Sequence, residues 1–275
     1  MGPLIPLILL RCMLSVMLTT VVVGALIWLA PGREFTNTSL HGFGAEMAAP
    51  AVESGSLFVW KYAVGLLSGD AGISTSFQAP VAGLIRERFA LSALTLARSF
   101  LILLAVTGAL AVLSVRSPLV RSAARVGTGV LYSIPVGVLA LPLAYVGWPA
   151  ELSVVAGSLP KAFALFDAVL ERTARGTHLV WMRSMGVGWG PVLWHGILRS
   201  ARPELLEVMA LWVPLLLGTL IVVEVISGQA GLGTLAWRAV QARDLPLLGA
   251  ITILFAVGSS LAAAAAALCS REARQ

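Results

Sequence analysis

Residues Leu91–Val115, LSALTLARSFLILLAVTGALAVLSV, decide what kind of chain this is. Arg98 is the one charge in the run, and about 20 residues of helix cross the roughly 30 Å of a bilayer's hydrocarbon core. The run therefore reads as a membrane span. Directly after it come Arg116, Arg121 and Arg125, and arginine gathered beside an apolar run marks the cytoplasmic side.

The rest of the chain has the same character. Of its 275 residues 58% are hydrophobic and 12% charged, against about a quarter charged in a soluble domain, and the mean hydropathy is +0.92. The long unbroken apolar runs exclude a β-barrel, which would alternate over short segments. A net charge of +6 placed beside those runs serves topology rather than nucleic acid. The expected fold is an all-α integral membrane protein with about six transmembrane helices, at residues 7–30, 91–115, 126–148, 152–170, 205–226 and 247–268. Such a count puts both termini in the cytoplasm. The acidic segment 33–89 then lies outside, with a short interfacial helix over Ser56–Leu67 anchored by Trp60 and Tyr62. Pro135 and Pro142 interrupt the third span, and prolines at that depth are tolerated where protein or a water-filled path surrounds them. Lys161 and Asp167 oblige the fourth span to sit in a bundle or against a polar cavity. Six residues apart, they do not share a helix face. Pro203 is expected to open the fifth span from a first-turn position, and a glycine-rich loop to lead from it to Pro246.

Between the fourth and fifth spans lies a basic elbow, residues 172–203, containing His178–Pro203, HLVWMRSMGVGWGPVLWHGILRSARP. It reads as two short helices about a turn. Leu179, Met182, Met185 and Trp181 form an apolar edge of the first. Gly186, Gly188 and Gly190 then permit positive φ or close backbone approach. From Pro191 to Ser200 the apolar Leu193, Trp194, Ile197 and Leu198 oppose His195 and Arg199, giving an amphipathic helix able to lie in a groove. A basic interfacial loop that merely obeys the topology rule would share much of this pattern.

Catalytic signatures do not emerge. The histidines His41, His178 and His195 are scattered, there is neither HExxH nor GxSxG, and Cys12 and Cys269 cannot build a metal quartet or a disulfide framework. The only lysines are Lys61 and Lys161, and neither follows GxxxxG. Without a Walker A loop the chain is not expected to hydrolyse ATP by itself.

Several stretches together resemble the inner-membrane permease subunits of bacterial ABC importers, in particular the oligopeptide, dipeptide and nickel class. Gly69-Asp70-Ala71-Gly72-Ile73-Ser74 is similar to that family's GDLGxS, and Pro80–Arg88 to its PVxxLIxxR. Ser133-Ile134-Pro135 matches its SxP, Val223-Glu224 with Gly231-Leu232-Gly233 its VExxFxxPGLG, and Arg243-Asp244-Leu245-Pro246 its RDYP. Ala30-Pro31-Gly32 resembles SPGD with Arg33 for the aspartate. In the elbow, Met182, Arg183, Ser184, Gly186 and Val187 fall on the EAA loop of the family, whose EAA triplet is here Val180-Trp181-Met182. His195-Gly196-Ile197-Leu198-Arg199 echoes its continuation.

The resemblance implies a permease subunit forming half of a translocation path for peptides or similar polar solutes, with a metal chelate as the alternative cargo. It would work with a second homologous permease subunit, two cytoplasmic ATPase subunits that hold ATP and magnesium, and an extracytoplasmic solute-binding protein. The chain itself would carry no cofactor, and its other partner would be membrane lipid. Met182, Arg183, Ser184, Gly186, Val187, Gly190, His195 and Arg199 are the expected ATPase-coupling residues. Arg98, Pro135 and Glu224 are candidates for the path. Two readings stand for Glu224, facing the path or locking the bundle, and two for Arg98, the path or the interface. Trp148, Trp212 and Trp237 are expected at interfaces or in packing. An ion-coupled transporter using Glu224, Asp167 and Lys161 is the rival from another class, and it calls for inverted repeats or paired broken helices that the sequence does not display.

Overall fold

The computed structural model describes residues 4–29, 64–65 and 71–272. Most of the segment 33–89 up to residue 70, including Trp60 and Tyr62 of the interfacial helix and Gly69-Asp70, lies outside the described residues. Among the described residues the regular elements are helices, and the one strand-like feature is a bridge between Ile73 and Pro80.

Helix α1 is Leu4–Leu29, α2 Val81–Arg116, α3 Pro118–Ser133, α4 Val136–Tyr145 and α5 Ala150–Ala174. Helix α6 is Thr177–Ser184, α7 Trp189–Ser227, α8 Leu232–Gln241 and α9 Leu245–Glu272. Four of them, α2, α5, α7 and α9, are long and apolar enough to cross a membrane, and α3 with α4 makes a fifth if the pair is one bent span. Helix α1 runs for 26 residues and includes the apolar stretch Cys12–Leu26.

Two expectations change and one is sharpened. Pro142 lies inside α4, and the interruption expected in the third span is a bend of 91° between α3 and α4 across Ile134-Pro135. Proline there has no N–H to continue the ladder and forces the preceding residue out of the helical region, and Ile134 is indeed extended at φ −92°, ψ 123°. Pro203 does not open the fifth span but lies inside α7, together with Pro214. The helix begins at Trp189, because Val192, Ile197 and Ala201 are already buried there. The glycine-rich stretch before Pro246 holds a helix, α8, with Leu232, Leu235, Ala236 and Ala239 buried at i, i+3, i+4 and i+7 spacing.

The chain divides into two compact units. One comprises Met1–Leu94 with Gly228–Leu261, the other Thr95–Ser227 with Ala262–Gln275. In the first, Val81, Leu232, Leu235, Ala239, Leu247 and Ile251 make an apolar core. The Ser92 hydroxyl accepts from the Leu232 N–H at 2.7 Å, satisfying a donor at the start of α8. Val81, Leu84 and Ile85 pack into this core, which explains why α2 begins ten residues before the expected span.

In the second unit α5 packs against α3, α4 and α7. Trp212 of α7 is fully buried, its ring 5.9 Å from Phe100 and 5.5 Å from Phe166. Lipid gives helices little hydrophobic reason to associate, so small residues and hydrogen bonds matter more. Both are present on α5. A β-carbon at Gly157 would overlap Val136 and stand 3.1 Å from Thr219, and the Ser158 hydroxyl donates to the Thr219 hydroxyl at 3.2 Å. An interhelical hydrogen bond of this kind contributes about 0.6 kcal/mol.

Candidate functional site

The elbow starts where α5 ends. Helix α6 stops after Ser184, and Gly186 follows with φ +75°. The Gly186 N–H donates to the Arg183 carbonyl at 3.0 Å and the Val187 N–H to the Met182 carbonyl at 3.2 Å. This pair of bonds is the Schellman arrangement, which uses up carbonyls a helix end would otherwise leave bare. Of the three alternating glycines only Gly186 uses a left-handed conformation; Gly188 has φ −59° and Gly190 is helical.

The close approach occurs at a fourth glycine, Gly196. It is buried, and a β-carbon there would overlap the Leu179 side chain and lie 3.4 Å from Met182 Sδ. Leu179 is itself fully buried, worth about 2 kcal/mol for a side chain of its size. Helix α6 is thereby stapled to the head of α7. The signal in the sequence was a small residue facing two large apolar ones, a pairing that periodicity along one helix does not reveal.

Residues Val192–Leu198 of α7 are wound as a π-helix, a form that appears as single wide turns within α-helices. Winding that bonds i to i+5 aligns Val192 with Ile197, and both are buried. Trp194, expected on the apolar face, is instead turned outward beside His195 and Arg199, which are exposed. On α6 the residues at i, i+1, i+4 and i+5 spacing, Val180, Trp181, Ser184 and Met185, face outward together. Val180, Trp181, Met185 and Trp194 are each at least 60% exposed. Arg183 crosses the turn and lies 5.7 Å from the centre of the Trp189 ring. Met182 and Val187 are half-buried against the core.

Next to the elbow is an ion-pair cluster. Asp167, almost fully buried, accepts a hydrogen bond from Arg125 Nη2 at 2.7 Å, and Arg121 Nε lies 3.8 Å from its other oxygen. Glu171 takes Arg121 Nη1 at 3.1 Å and is also paired with Arg125 and Arg175. Arg172 pairs with Glu204 of α7 at 3.4 Å. Arginines that read as topology signals thus also answer the carboxylate in the fourth span, and the cluster ties α3 to α5 and α5 to α7.

Of the candidate path residues, Arg98 is paired with Glu151 at 3.3 Å, its own side chain largely exposed. Pro135 is exposed at the bend between α3 and α4, and Glu224 is fully buried in α7.

In the first unit, two stretches far apart in sequence form a latch. Asp244 Oδ2 accepts from the hydroxyls of Ser74 and Ser76, the latter at 2.7 Å, and from the Ser76 N–H at 3.1 Å. Its Oδ1 accepts from the Leu247 N–H at 3.2 Å, capping α9. Burial alone would raise the Asp244 pKa, but the hydrogen bonds from Ser74, Ser76 and Leu247 outweigh it and hold the carboxyl below its ordinary 3.8.

Four helices long and apolar enough to cross a membrane, with a fifth if the bent pair is one span, suit a multi-pass membrane protein. Residues 101–275 match the family described as the binding-protein-dependent transport system inner membrane component, and the chain belongs to that family. The family is the non-catalytic permease of an ABC importer, which implies ATPase and binding-protein partners and an inner-membrane location. No curated protein matches the chain.

Proposed function

We propose that this chain is one of two similar permease subunits of an ATP-driven importer of the oligopeptide, dipeptide and nickel class, carrying short peptides or similarly sized polar solutes. It has six spans with both termini in the cytoplasm. Two ATPase subunits, holding ATP and magnesium, dock on the elbow 172–203 and its counterpart, and a solute-binding protein delivers cargo on the opposite face. Closure of the ATPases draws the elbows together and switches the path between inward- and outward-facing states. A rigid-body switch of this kind needs contacts that differ between the two states.

The observation that carries this reading is the build of the elbow. Leu179 against Gly196 fixes one side of α6 to the head of a 39-residue helix, so a push on α6 reaches a span without being absorbed at a hinge. The other side offers Val180, Trp181 and Met185 to a partner, and large apolar side chains exposed in a row mark an interaction surface. Arg183, Ser184, His195 and Arg199, all exposed, supply the polar rim.

Gly186→Trp tests the docking role. The space around a Gly186 β-carbon is open, so the spans still insert, while the bulky side chain and the strained φ spoil the docking face. The expected result is at least a tenfold loss of co-purifying ATPase and of ATP-driven uptake in proteoliposomes. Normal uptake by this variant would overturn the coupling assignment.

A further inference from the structure

Lys161 is the twelfth of the 25 residues of α5, halfway along a helix of spanning length. Its side chain is exposed. Arg98, Arg121, Arg125, Arg172 and Arg175 each pair with a carboxylate, whereas among the described residues no carboxylate lies within ion-pair distance of Lys161. Among the described residues its Nζ lies over the face of Tyr132, 5.6 Å from the ring centre. Tyr132 is itself 63% exposed.

An ammonium at this level cannot be left in hydrocarbon, and cations within spans face a bundle interior or a water-filled cavity. Three features surround Lys161. Tyr132 stands two residues before the 91° break between α3 and α4. One turn before Lys161, Gly157 is overlaid by Val136, the first residue of α4. The broken span therefore runs along the turn of α5 between Gly157 and Lys161. Helix α4 starts there without a side-chain cap, and the first N–H groups of a helix have no partner within it. A cation, an aromatic hydroxyl and the positive end of a broken helix at one level suit an anionic group, as half-helix N-termini do in other transport proteins.

We propose that Lys161, with Tyr132 and the start of α4, forms the station on the translocation path that receives the carboxylate of the solute. The assignment rests on the reading of this chain as half of such a path, and it narrows the cargo to solutes with a negatively charged end. Arg98, by contrast, is paired with Glu151.

The test uses the assembled transporter in proteoliposomes, with Cys12 and Cys269 replaced by serine and a reporter Leu165→Cys. Leu165 is 40% exposed and four residues from Lys161, hence on the same face of α5. A sulfonate-bearing and a trimethylammonium-bearing thiosulfonate are compared for their rates at the reporter. We expect the anionic reagent to be favoured, the ratio to fall about tenfold when Lys161→Met is added, and Lys161→Arg to preserve it. Trialanine should slow the anionic reagent at least threefold and trialanine amide should not. An unreactive reporter, a ratio indifferent to Lys161→Met, or equal protection or none from the two peptides would each overturn the station. Loss of ATPase from the purified assembly while these labelling results hold would instead count against the importer reading and leave the anion site standing.

Discussion

The elbow and the Asp244 latch are both places where a helix must start or stop against another segment, and they are held in opposite ways. The elbow relies on shape: a left-handed glycine, a leucine pressed on a second glycine, and polar groups turned outward. The latch relies on a buried carboxylate whose lone pairs are taken by two hydroxyls and two N–H groups. A junction held by shape leaves its polar side chains available to a partner, whereas one held by a carboxylate uses its polar groups up internally. The docking role proposed for the elbow requires the first arrangement, and the latch has the second.

The largest effect is expected at the latch. Asp244→Ala strands the Ser74 and Ser76 hydroxyls and uncaps α9, at a cost of about 3 kcal/mol, since hydrogen bonds to charged groups contribute most and orphaned donors are costly. Because the carboxyl is held below 3.8, its contribution is present above that pH and disappears as pH falls through the depressed value. The difference in unfolding midpoint between wild type and Asp244→Ala in detergent should therefore persist at pH 5 and close below pH 3.8. A gap that closes between pH 5 and 6 would mean the carboxyl is not held as described.

Gly196→Leu comes next. Overpacking against Leu179 costs about 2 kcal/mol, and the strain falls on the contact between α6 and α7 rather than on the spans. Cysteine pairs placed across that contact should lose their cross-linking while membrane insertion is retained; unchanged cross-linking would break the stapled elbow.

The smallest effect separates two glycines that look alike in sequence. Gly186→Ala should destabilise by about 1 kcal/mol, the cost of a β-carbon in the left-handed region. Gly190→Ala, at a helical position with open space, should be neutral or stabilise by up to about 1 kcal/mol. Equal effects in thermal unfolding would show that the turn at Gly186 is not the one described.

Much of this was legible from residue order alone. Apolar runs gave the C-terminal ends of α2 and α7 and both ends of α5 and α9 to within 4 residues, and Pro135 announced the break in the third span. Gly186 was readable as a turn because positive φ is a property of one residue. Contacts between distant residues were not readable. Asp167 finds Arg125 across 42 positions and Asp244 finds Ser74 across 170; both members of the second pair stood in stretches singled out by family resemblance, but nothing in either stretch says that they meet. Gly196 escaped because its importance lies in the leucine facing it from another helix. The reading of Pro203 as a helix start failed because burial of Val192 and Ile197 drew the helix back by fourteen residues, and a proline inside costs less than leaving those side chains bare.

The π segment has one further consequence, and it concerns phase. An α-helix advances about 100° per residue, so the angle between a helix's head and its shaft is set by counting residues. The wide turn over Val192–Leu198 resets that count. Wound as plain α-helix, the same sequence would carry Val192 and Ile197 to different sides and swing the elbow around the axis of α7. In the proposed coupling, the direction in which a push on α6 would arrive at the span is thus a matter of gearing, fixed by one turn of backbone rather than by any side chain that would touch the partner.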